Sequence, residues 1–482
     1  MDSNIAHTDT NTSVSDARVP DNILSTDINS RSMNLGSTNS QSLDVPRHPR
    51  VLMFGWEFPP FFSGGLGTAC YGLTKGLAQN NIHVTFVMPQ GPPDLKAEFV
   101  DLIVASNLKS QKSIDSVNFR PVDSILTPYL SETAYTTEYE RHFQKLSEHT
   151  LSGKLYGKNI YEEVYRFSRI AGIIAGEESF DIIHCHDWMT FPAGIQAKRK
   201  SGKPLIVQIH ATEFDRSGNI GGINQYVYDI ERTGMHAADH IIAVSQFTKN
   251  ILTTYYDIPE DKVTVIHNAV DFFDSEECAK PVTITHAEKI VLFLGRITLQ
   301  KGPDYFIEAA KKVLDFDPHV TFIVAGSGDM EAKIIQRVAE LGIGRKVLFA
   351  GFLTGRDVDL AYKMADLYVM PSVSEPFGIT PLEALRNGTP VIISKQSGVS
   401  EVLKNALKVD FWDVDELANK IISVLNYRAL HHELQLHGLL EVKTFTWNTP
   451  AQKCIALYRD VITASHTRIH ASLPLVEVKT AW

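Results

Sequence analysis

The stretch of sequence that is most informative about the fold is Pro371-Ser-Val-Ser-Glu375-Pro-Phe-Gly-Ile-Thr-Pro-Leu-Glu383-Ala-Leu-Arg-Asn-Gly-Thr-Pro-Val-Ile-Ile-Ser394. It predicts a loop, a short helix and a buried strand, because a short amphipathic turn started by a proline leads into an apolar run. Thr380 is the expected N-cap and Pro381 the first helical residue, with Glu383 three residues after the cap, as in a capping box. One carboxylate therefore lies in the loop and another in the first turn of the helix.

The start of this helix is predicted to bind an anion. The first amides of a helix lack intrahelical acceptors and lie at the positive end of its dipole, so phosphate groups bind there readily. The expected donors are the N–H groups of Gly378, Ile379 and Thr380. Glu383 either completes the capping box or accepts hydrogen bonds from the vicinal hydroxyls of a ribose. Glu375 has no evident structural role, so a polar ligand explains it better.

Length and composition bound the class of protein. The chain has 482 residues, of which 44% are hydrophobic, and this is enough for two domains with large cores. Its formal net charge of −10 argues against a nucleic-acid-binding protein held by phosphate contacts. The sequence has neither an apolar run long enough for a membrane span nor a signal peptide. The four scattered cysteines are typical of reduced thiols, so a cytoplasmic protein is expected.

The first part of the chain predicts a tail and a domain. Residues 1–48 are polar and almost free of aromatic side chains, which predicts a disordered tail. From residue 49 to 274 short apolar runs alternate with helical segments, which predicts a doubly wound parallel sheet. Polar clusters follow four successive strands, and a ligand site is expected there because the carboxyl ends of parallel strands share one edge. These clusters begin at His186, His210, Ser245 and His267.

A glycine-rich loop, Ser63-Gly64-Gly65-Leu-Gly67, separates the first strand from the first helix. Strand, glycine loop and helix in this order allow a backbone to approach a phosphate or a sugar closely. The spacing does not match the G-x-G-x-x-G fingerprint, so a dinucleotide site is not predicted. A turn that only packs the helix on the strand remains the alternative for this loop.

A second alternating series is expected over residues 275–446, after a linker near residues 271–286. Two such series predict two doubly wound domains that face a central cleft. Residues 447–482 carry a last amphipathic helix, and a further helix is expected at residues 135–149. The strands of the second series are expected at residues 289–295, 320–326, 346–351, 366–371 and 390–394.

Two cations, Arg296 and Lys301, follow the first strand of the second series. A guanidinium forks onto phosphate oxygens, and an ammonium supplies a point charge. Gly302-Pro303 predicts a helix start directly behind them. A bound diphosphate therefore explains this pair better than an exposed surface loop does.

Together these motifs resemble the signature of the retaining glycosyltransferases of family 4 and of the related glycogen and starch synthases. The resemblance covers roughly residues 50–465. It rests on Glu375 and Glu383 within Pro-Phe-Gly-Ile-Thr-Pro-Leu-Glu-Ala-Leu, on Gly295-Arg296 with Lys301-Gly302, on Ser63-Gly64-Gly65, on His186-Asp187-Trp188 and on the helix after Trp447.

The resemblance implies an α/β protein of the GT-B fold, with two Rossmann-like domains. The C-terminal domain would bind a nucleotide sugar, the N-terminal domain would bind the acceptor, and the last helix would return to the N-terminal domain. His210, near the anomeric carbon, and Glu375, on the transferred sugar, are the implied catalytic residues. Glu57 and Asp187 are implied to hold the acceptor. The implied donor-binding residues are Gly65, Arg296, Lys301, Phe377, Gly378, Ile379, Thr380 and Glu383.

The implied reaction moves a hexose, with glucose expected, from a nucleotide-diphosphate sugar to a sugar or a glucan. The anomeric configuration is retained by same-face substitution, in which the departing phosphate helps to deprotonate the acceptor. Such a mechanism needs positioning and charge stabilisation more than a protein nucleophile, and no metal or other cofactor is expected. The expected partners are a nucleotide sugar and a carbohydrate acceptor.

One motif departs from the family. Bacterial glycogen synthases usually carry Lys-Thr before the paired glycines, where this chain has Phe62-Ser63, so the ADP-glucose-dependent glycogen reaction is not specifically indicated. Two alternatives stay open. A GT-B sugar-nucleotide epimerase would release an isomerised nucleotide sugar without an acceptor, and a non-catalytic protein would bind the nucleotide sugar without turnover.

Overall fold

The computed structural model describes residues 46–472, with gaps at residues 57, 60–63, 90–95, 98–99, 102–116, 122–158, 219–221 and 273–287. Several sequence-based predictions fall outside these described residues. They are the tail up to residue 45, the helix at residues 135–149, most of the linker, and Glu57.

The first half of the described chain is built on a parallel sheet. Its strands and those of a small adjoining pair are β1 (Val51–Phe54), β2 (Val84–Met88), β3 (Lys96–Ala97), β4 (Val100–Asp101), β5 (Val117–Pro121), β6 (Ile182–His186), β7 (Leu205–Ile209), β8 (His240–Ala243) and β9 (Val263–Val265). Seven of them form one sheet in the order β5-β2-β1-β6-β7-β8-β9, and every ladder in it is parallel. β3 and β4 form a separate antiparallel pair.

The second half is built on a six-stranded parallel sheet in the order β12-β11-β10-β13-β14-β15. Its strands are β10 (Lys289–Leu294), β11 (Val320–Ala325), β12 (Val347–Gly351), β13 (Leu367–Met370), β14 (Val391–Ser394) and β15 (Leu407–Val409). The five strands predicted here are present, and β15 adds a sixth.

Helices follow the strands in both halves. They are α1 (Gly65–Gln79), α2 (Ile160–Glu177), α3 (Phe191–Ser201), α4 (Glu213–Arg216), α5 (Gln225–Ala237), α6 (Gln246–Tyr255), α7 (Pro303–Phe316), α8 (Glu331–Glu340), α9 (Arg356–Met364), α10 (Thr380–Arg386), α11 (Val414–Asn426), α12 (Arg428–Val442) and α13 (Asn448–Ser472).

The central strands are buried on both faces, as continuous apolar runs in parallel sheets require. In β1, β2, β6, β7, β13 and β14 every residue is buried. The prediction that the polar cluster after β6 begins at His186 was wrong. The strand continues to His186, so His184 and His186 lie inside the sheet and only Asp187 follows it. The chain is therefore an α/β protein with two doubly wound sheets.

The strand order of each sheet reverses once, between β1 and β6 in the first and between β10 and β13 in the second. Ligands of doubly wound sheets bind at the carboxyl ends of strands next to such a reversal. In the second sheet these ends are followed by Arg296 and by the loop that begins at Pro371. In the first sheet they are followed by Trp56 and Asp187.

The last helix, α13, packs against α1 of the first half. Trp447, just before α13, lies against Gly72 of α1, so closely that a Cβ on that glycine would be 2.0 Å from the indole. Further along α13, the hydroxyl of Tyr458 is 2.7 Å from Nδ1 of His184 in β6. The end of the chain thus belongs to the core of the first half.

Buried apolar residues form two clusters. One contains the core of the first half, α13 and the face of the second sheet that carries Tyr368, Met370 and Ile393. The other covers the opposite face of the second sheet, under α7, α8 and α11. Among the helices that the structure describes, none has the length and apolar character that crossing a bilayer requires.

Candidate active site

A cavity of about 1060 Å³ lies between the carboxyl edges of the two sheets. Almost all of the residues predicted from the sequence line it. These are Gly65, Asp187, His210, Arg296, Lys301, Glu375, Phe377, Gly378, Ile379, Thr380 and Glu383. Glu57 lies outside the described residues. The structure therefore brings eleven residues from both halves of the chain to one site.

Lys301 and Glu375 form an ion pair in this cavity. Oε2 of the same carboxylate also accepts a hydrogen bond from the hydroxyl of Ser372, over 3.2 Å. The expectation that Glu375 has no structural partner was thus wrong. Its carboxylate neutralises Lys301, and a phosphate group that entered the cavity would compete with it for the ammonium.

The loop after Glu375 leads into α10. The prediction that Thr380 caps this helix was wrong, because α10 begins at Thr380 and its N-cap is Ile379. Thr380 instead accepts a hydrogen bond from the hydroxyl of Tyr368, over 2.8 Å. The N–H groups of Ile379 and Thr380 still stand at the start of a helix, where they have no intrahelical acceptor.

Gly378 has a φ of +99°, which side chains rarely adopt. A Cβ at this position would also lie 3.1 Å from Cγ of Glu375. Glycine therefore lets the loop turn tightly beside the carboxylate and exposes backbone to the cavity.

Glu383 does not complete a capping box, since its carboxylate is 3.3 Å from the hydroxyl of Tyr362. Burial raises the pKa of this carboxyl, and the nearby guanidinium of Arg386 lowers it in part. Arg386 is itself paired with Asp359. Glu383 therefore faces the cavity from the first turn of α10, available to accept hydrogen bonds from a ligand.

Arg296 follows β10 and lines the cavity next to Lys301. Its Nη2 donates a hydrogen bond to Oε1 of Gln300 over 3.2 Å. Two cations thus stand on the same wall as the start of α10, at the point where the order of the second sheet reverses. Such a wall suits a diphosphate.

On the opposite wall Asp187 holds the loop that carries His210. Asp187 has a φ of +58°, and its Oδ1 accepts hydrogen bonds from the N–H groups of His210 (2.7 Å) and Ala211 (3.4 Å). Burial raises the pKa of Asp187 to about 7, and the backbone hydrogen bond from His210 opposes this shift. The carboxylate of Asp187 thus fixes the backbone at His210.

His210 is one of three adjacent histidines. Its Nε2 is 2.9 Å from Nδ1 of His186, whose ring is in turn 4.4 Å from that of His184. Burial lowers the pKa of His210 and of His184 to about 3, and it lowers that of His186 as well. His210 is therefore a neutral hydrogen-bonding group at neutral pH, not a source of positive charge.

Cys70, His186 and His210 form a group that could hold a metal ion, because one ligand atom of each lies within 4.8 Å of the others. Cysteine and imidazole would suit Zn²⁺. The two imidazoles are already hydrogen-bonded to each other, so they do not need an ion.

Several cavity residues were assigned no role in the site from the sequence. Arg216 forms ion pairs with Glu213 and with Glu231, so its charge is neutralised on the wall. Trp56 and Trp188 form an edge-to-face pair with ring centroids 6.2 Å apart, and Tyr161 lies 6.5 Å from Trp188. The run Thr212-Glu-Phe-Asp-Arg216 belongs to the polar cluster that was predicted after β7 and that begins at His210. It opens with a capping box and carries three charges.

Two family models match the chain, one over each half. The model described as Glycosyltransferase Family 4 matches residues 63–272, and the model described as Glycosyl transferases group 1 matches residues 274–440. Between them they take in both walls of the cavity, including His210, Lys301 and Glu375.

Curated relatives match over most of the chain. An uncharacterised glycosyltransferase of Methanocaldococcus jannaschii is 29% identical over 424 residues, which is 85% of this chain and 98% of the relative. A glycogen synthase of Mycobacterium tuberculosis is 26% identical over 416 residues, 85% of this chain and 94% of the relative.

Solved structures share the fold. Sucrose-phosphate synthase from Thermosynechococcus elongatus superposes with a TM-score of 0.66 at 19% identity, over 86% of this chain and 100% of that chain. HepE of Anabaena in complex with UDP and glucose superposes with a TM-score of 0.60 at 18% identity, again over 86% and 100%.

Proposed function

This chain belongs to the GT-B glycosyltransferases of the family 4 type and is glycogen synthase-like, and on that premise we propose that it is a retaining hexosyltransferase. The donor is a nucleotide-diphosphate sugar, and glucose is the sugar that we expect it to carry. The observation that carries the proposal is the meeting of Arg296, Lys301 and the start of α10 on one wall, opposite His210.

The donor binds to the second half of the chain. Arg296 and Lys301 hold the diphosphate, together with the amides that precede and open α10. Glu383 accepts hydrogen bonds from the ribose, and Glu375 contacts the transferred sugar. The nucleobase lies against an apolar wall formed by Leu294, Phe352 and Val358.

Glycosyl transfer occurs on the face from which the diphosphate departs. Lys301 and Arg296 stabilise the negative charge that develops on the leaving group, and this stabilisation lowers the barrier without a protein nucleophile. The departing phosphate accepts the proton of the acceptor hydroxyl. His210, neutral at pH 7, takes part as a hydrogen-bonding group beside the anomeric carbon. We expect no requirement for a metal ion.

The acceptor is an uncharged carbohydrate. Among the described residues of the first-half wall, Asp187 and Glu213 are acidic, and Arg216 is already paired with two glutamates. A phosphorylated acceptor would therefore find no unpaired cation among these residues. The aromatic rings of Tyr161 and Trp188 provide flat apolar surface on the same wall, which suits the faces of sugar rings.

The test is a panel of UDP-, ADP- and GDP-hexoses. Each is assayed for hydrolysis alone and for transfer to a glucan, to small neutral sugars and to sugar phosphates, with and without EDTA. We expect one nucleotide to be preferred, neutral acceptors to be used, EDTA to have no effect, and the product linkage to keep the anomeric configuration of the donor by NMR. The absence of transfer with every donor would contradict the proposal. Release of an isomerised nucleotide sugar would indicate an epimerase, and binding without turnover a non-catalytic protein.

A further inference from the structure

Glu375 is held from both sides of the cleft. Its carboxylate is bonded within the second half, to Lys301 and Ser372. The residues before and after it are instead bonded to the first half. The hydroxyl of Ser374 donates to Oδ1 of Asp215 over 2.6 Å, and the carbonyl of Pro376 accepts from the first half as well.

Asp215 is itself immobilised. Its Oδ2 accepts hydrogen bonds from the N–H and the hydroxyl of Thr212, over 2.8 and 2.7 Å, in the capping box of α4. Both Asp215 and Ser374 are fully buried, so the bond between them is shielded from water. Oδ1 of Asp215, which accepts the hydrogen bond from Ser374, is therefore a fixed acceptor on the first half that faces the loop of Glu375.

Ser245 holds the other side of Glu375. It is the N-cap of α6, where its hydroxyl oxygen accepts from the N–H of Thr248 over 2.9 Å, and the hydroxyl donates to the carbonyl of Pro376 over 2.5 Å. The close approach depends on Gly398, where a Cβ would lie 2.2 Å from that carbonyl and 2.4 Å from Cβ of Ser245.

The start of α6 makes two further hydrogen bonds across the cleft. The carboxylate of Glu401, in the second half, accepts hydrogen bonds from the N–H groups of Gln246 (2.9 Å) and Phe247 (2.6 Å). These contacts form only when the two halves face each other as they do in this structure. If the cleft opened, Ser374 and Pro376 would lose their partners together.

We propose that Asp215 and Ser245 are positioning residues that make the placement of Glu375 depend on closure of the cleft. They act through Ser374 and through the carbonyl of Pro376, and neither needs to touch the substrate. With the cleft open, the donor still binds to the second half, but the loop is released and Glu375 is not held against the sugar. The inference rests on the proposed function, and its consequence is that donor cleavage waits for both halves to close.

The experiment compares Ser374→Ala and Ser245→Ala in the full chain, with the donor found in the panel. For each variant we expect kcat to fall at least about tenfold, while the Kd for the nucleoside diphosphate by calorimetry changes less than about threefold, since all of its expected contacts except Gly65 lie in the second half. Small-angle scattering with that nucleotide bound is expected to give a larger radius of gyration than the wild type gives.

Ser397→Ala is the matched control. Ser397 is also buried, but its hydroxyl donates to the carbonyl of Ser394 within the second half, over 2.6 Å. We expect its kcat to stay within about twofold of the wild type. If Ser245→Ala does not fold because its helix cap is lost, Ser374→Ala decides the question alone.

Three results would overturn the inference. The first is a kcat within about twofold of the wild type in a folded Ser374→Ala variant. The second is an equal loss of kcat and of nucleotide affinity, which would indicate a distorted donor site. The third is an equal loss in the Ser397→Ala control. A wild-type chain that turns over no nucleotide sugar would contradict the proposed function instead. If the wild type is active, the proposed function stands and the variants test this inference separately.

Discussion

Glu375 is a loop residue, yet it is held as firmly as a core residue. Its N–H donates to the carbonyl of Gln396 over 3.0 Å, its carbonyl accepts from Gly398 over 2.9 Å, and its carboxylate is paired with Lys301. A residue that is only 6% exposed and is bonded through its backbone and its side chain has lost most of its conformational freedom before a ligand arrives. Such preorganisation is what charge stabilisation in a transition state requires.

The first prediction concerns this pair. Glu375→Ala and Lys301→Ala are each expected to lower kcat at least about tenfold, or about 1.4 kcal/mol in barrier, because one removes a contact to the sugar and the other a charge on the leaving group. Steady-state assays with the preferred donor measure this. Lys395→Ala is the control, because Lys395 pairs with Asp410 on the surface. Near-normal rates in both folded site variants would show that the site has been assigned to the wrong residues.

The second prediction concerns the buried His184. Its pKa in the folded protein is about 3, lowered by burial from 6.5. The folded state therefore binds fewer protons than the unfolded state, so the contribution of this neutral ring to stability is present above pH 6.5 and is lost as the pH falls from 6.5 towards 3. At pH 5.5 the loss amounts to about 1.4 kcal/mol.

The variant that tests it is His184→Gln. The difference in free energy of unfolding between pH 7.5 and pH 5.5, from urea denaturation, is expected to be about 1.4 kcal/mol smaller than in the wild type. Comparing the two differences cancels the opposite effect of Asp187, whose raised pKa favours the folded state as the pH falls. His432→Gln, at an exposed position, serves as the control. An unchanged difference in His184→Gln would contradict the assignment.

At the residue scale, sequence reasoning identified which residues meet but not how they are held. Glu383 was correctly placed in the first turn of α10, but its capping interpretation failed because the helix starts one residue earlier than the Thr-Pro signal suggests. Asp187 has a positive φ although it is not a glycine, and no local sequence pattern predicts this conformation. Its hydrogen bond to the N–H of His210 was therefore not predictable from the sequence. Such details depend on neighbours that are distant in sequence.

At the scale of elements, α1 and α13 show how a helix interface is specified by small residues. Gly72 and Gly76 lie one turn apart on α1 and face Trp447. Without side chains there, the indole is 5% exposed and fits against the helix backbone. The flat surface that two glycines leave explains why a large aromatic residue stands at the beginning of the last helix.

The third prediction follows from this contact. Gly72→Ala is expected to destabilise the fold by about 1–3 kcal/mol, because the added methyl would overlap the ring of Trp447 in a packed interface. Gly172→Ala, in α2, is the matched control, since its Cβ would meet Gln196 at an ordinary 3.7 Å. That change should stabilise the helix by up to about 1 kcal/mol. Thermal or urea unfolding of both variants measures this, and equal effects would exclude the overlap as the cause.

Strands were predictable where their residues are buried on both faces, and less so at an edge. β5, Val117–Pro121, ends in a proline, and β15, Leu407–Val409, has three residues. Both are edge strands, and neither was predicted. An edge strand pairs on one side only and tolerates proline and short length, so its sequence carries little of the apolar signal that marks a central strand.

At the scale of the whole molecule, one cluster of buried apolar residues joins the core of the first half to one face of the second sheet. A large apolar interface between two domains links the stability of one to that of the other. The fourth prediction is therefore that the two halves unfold together. Calorimetry of the full chain is expected to show a single transition whose calorimetric and van't Hoff enthalpies agree. Two separated transitions would mean that the shared cluster contributes little to the coupling between the two halves.

The contacts across the cleft could not be predicted from the sequence. Ser374 and Asp215 are 159 residues apart, and each has a local explanation, as a loop residue and as part of a helix cap. Their bond exists because two separately folded sheets face each other through the edges that carry the ligand. The location of the site followed from the alternation of strands and helices, but the bonds that join its walls required the arrangement of the two halves.

The return of α13 to the first half has a consequence for recombination. The chain leaves the first half after Val270 and comes back at Phe445, and the N–H of Val270 donates to the carbonyl of Phe445 over 3.2 Å, so the two crossings lie side by side. The second half is thus an insert with adjoining ends, not a tail. A chimera that exchanged everything after the linker would remove Trp447 from α1 and Tyr458 from His184, whereas one that replaced only residues 273–445 would keep the first half whole. Exchanging donor specificity within this architecture therefore requires replacing one internal segment at two junctions.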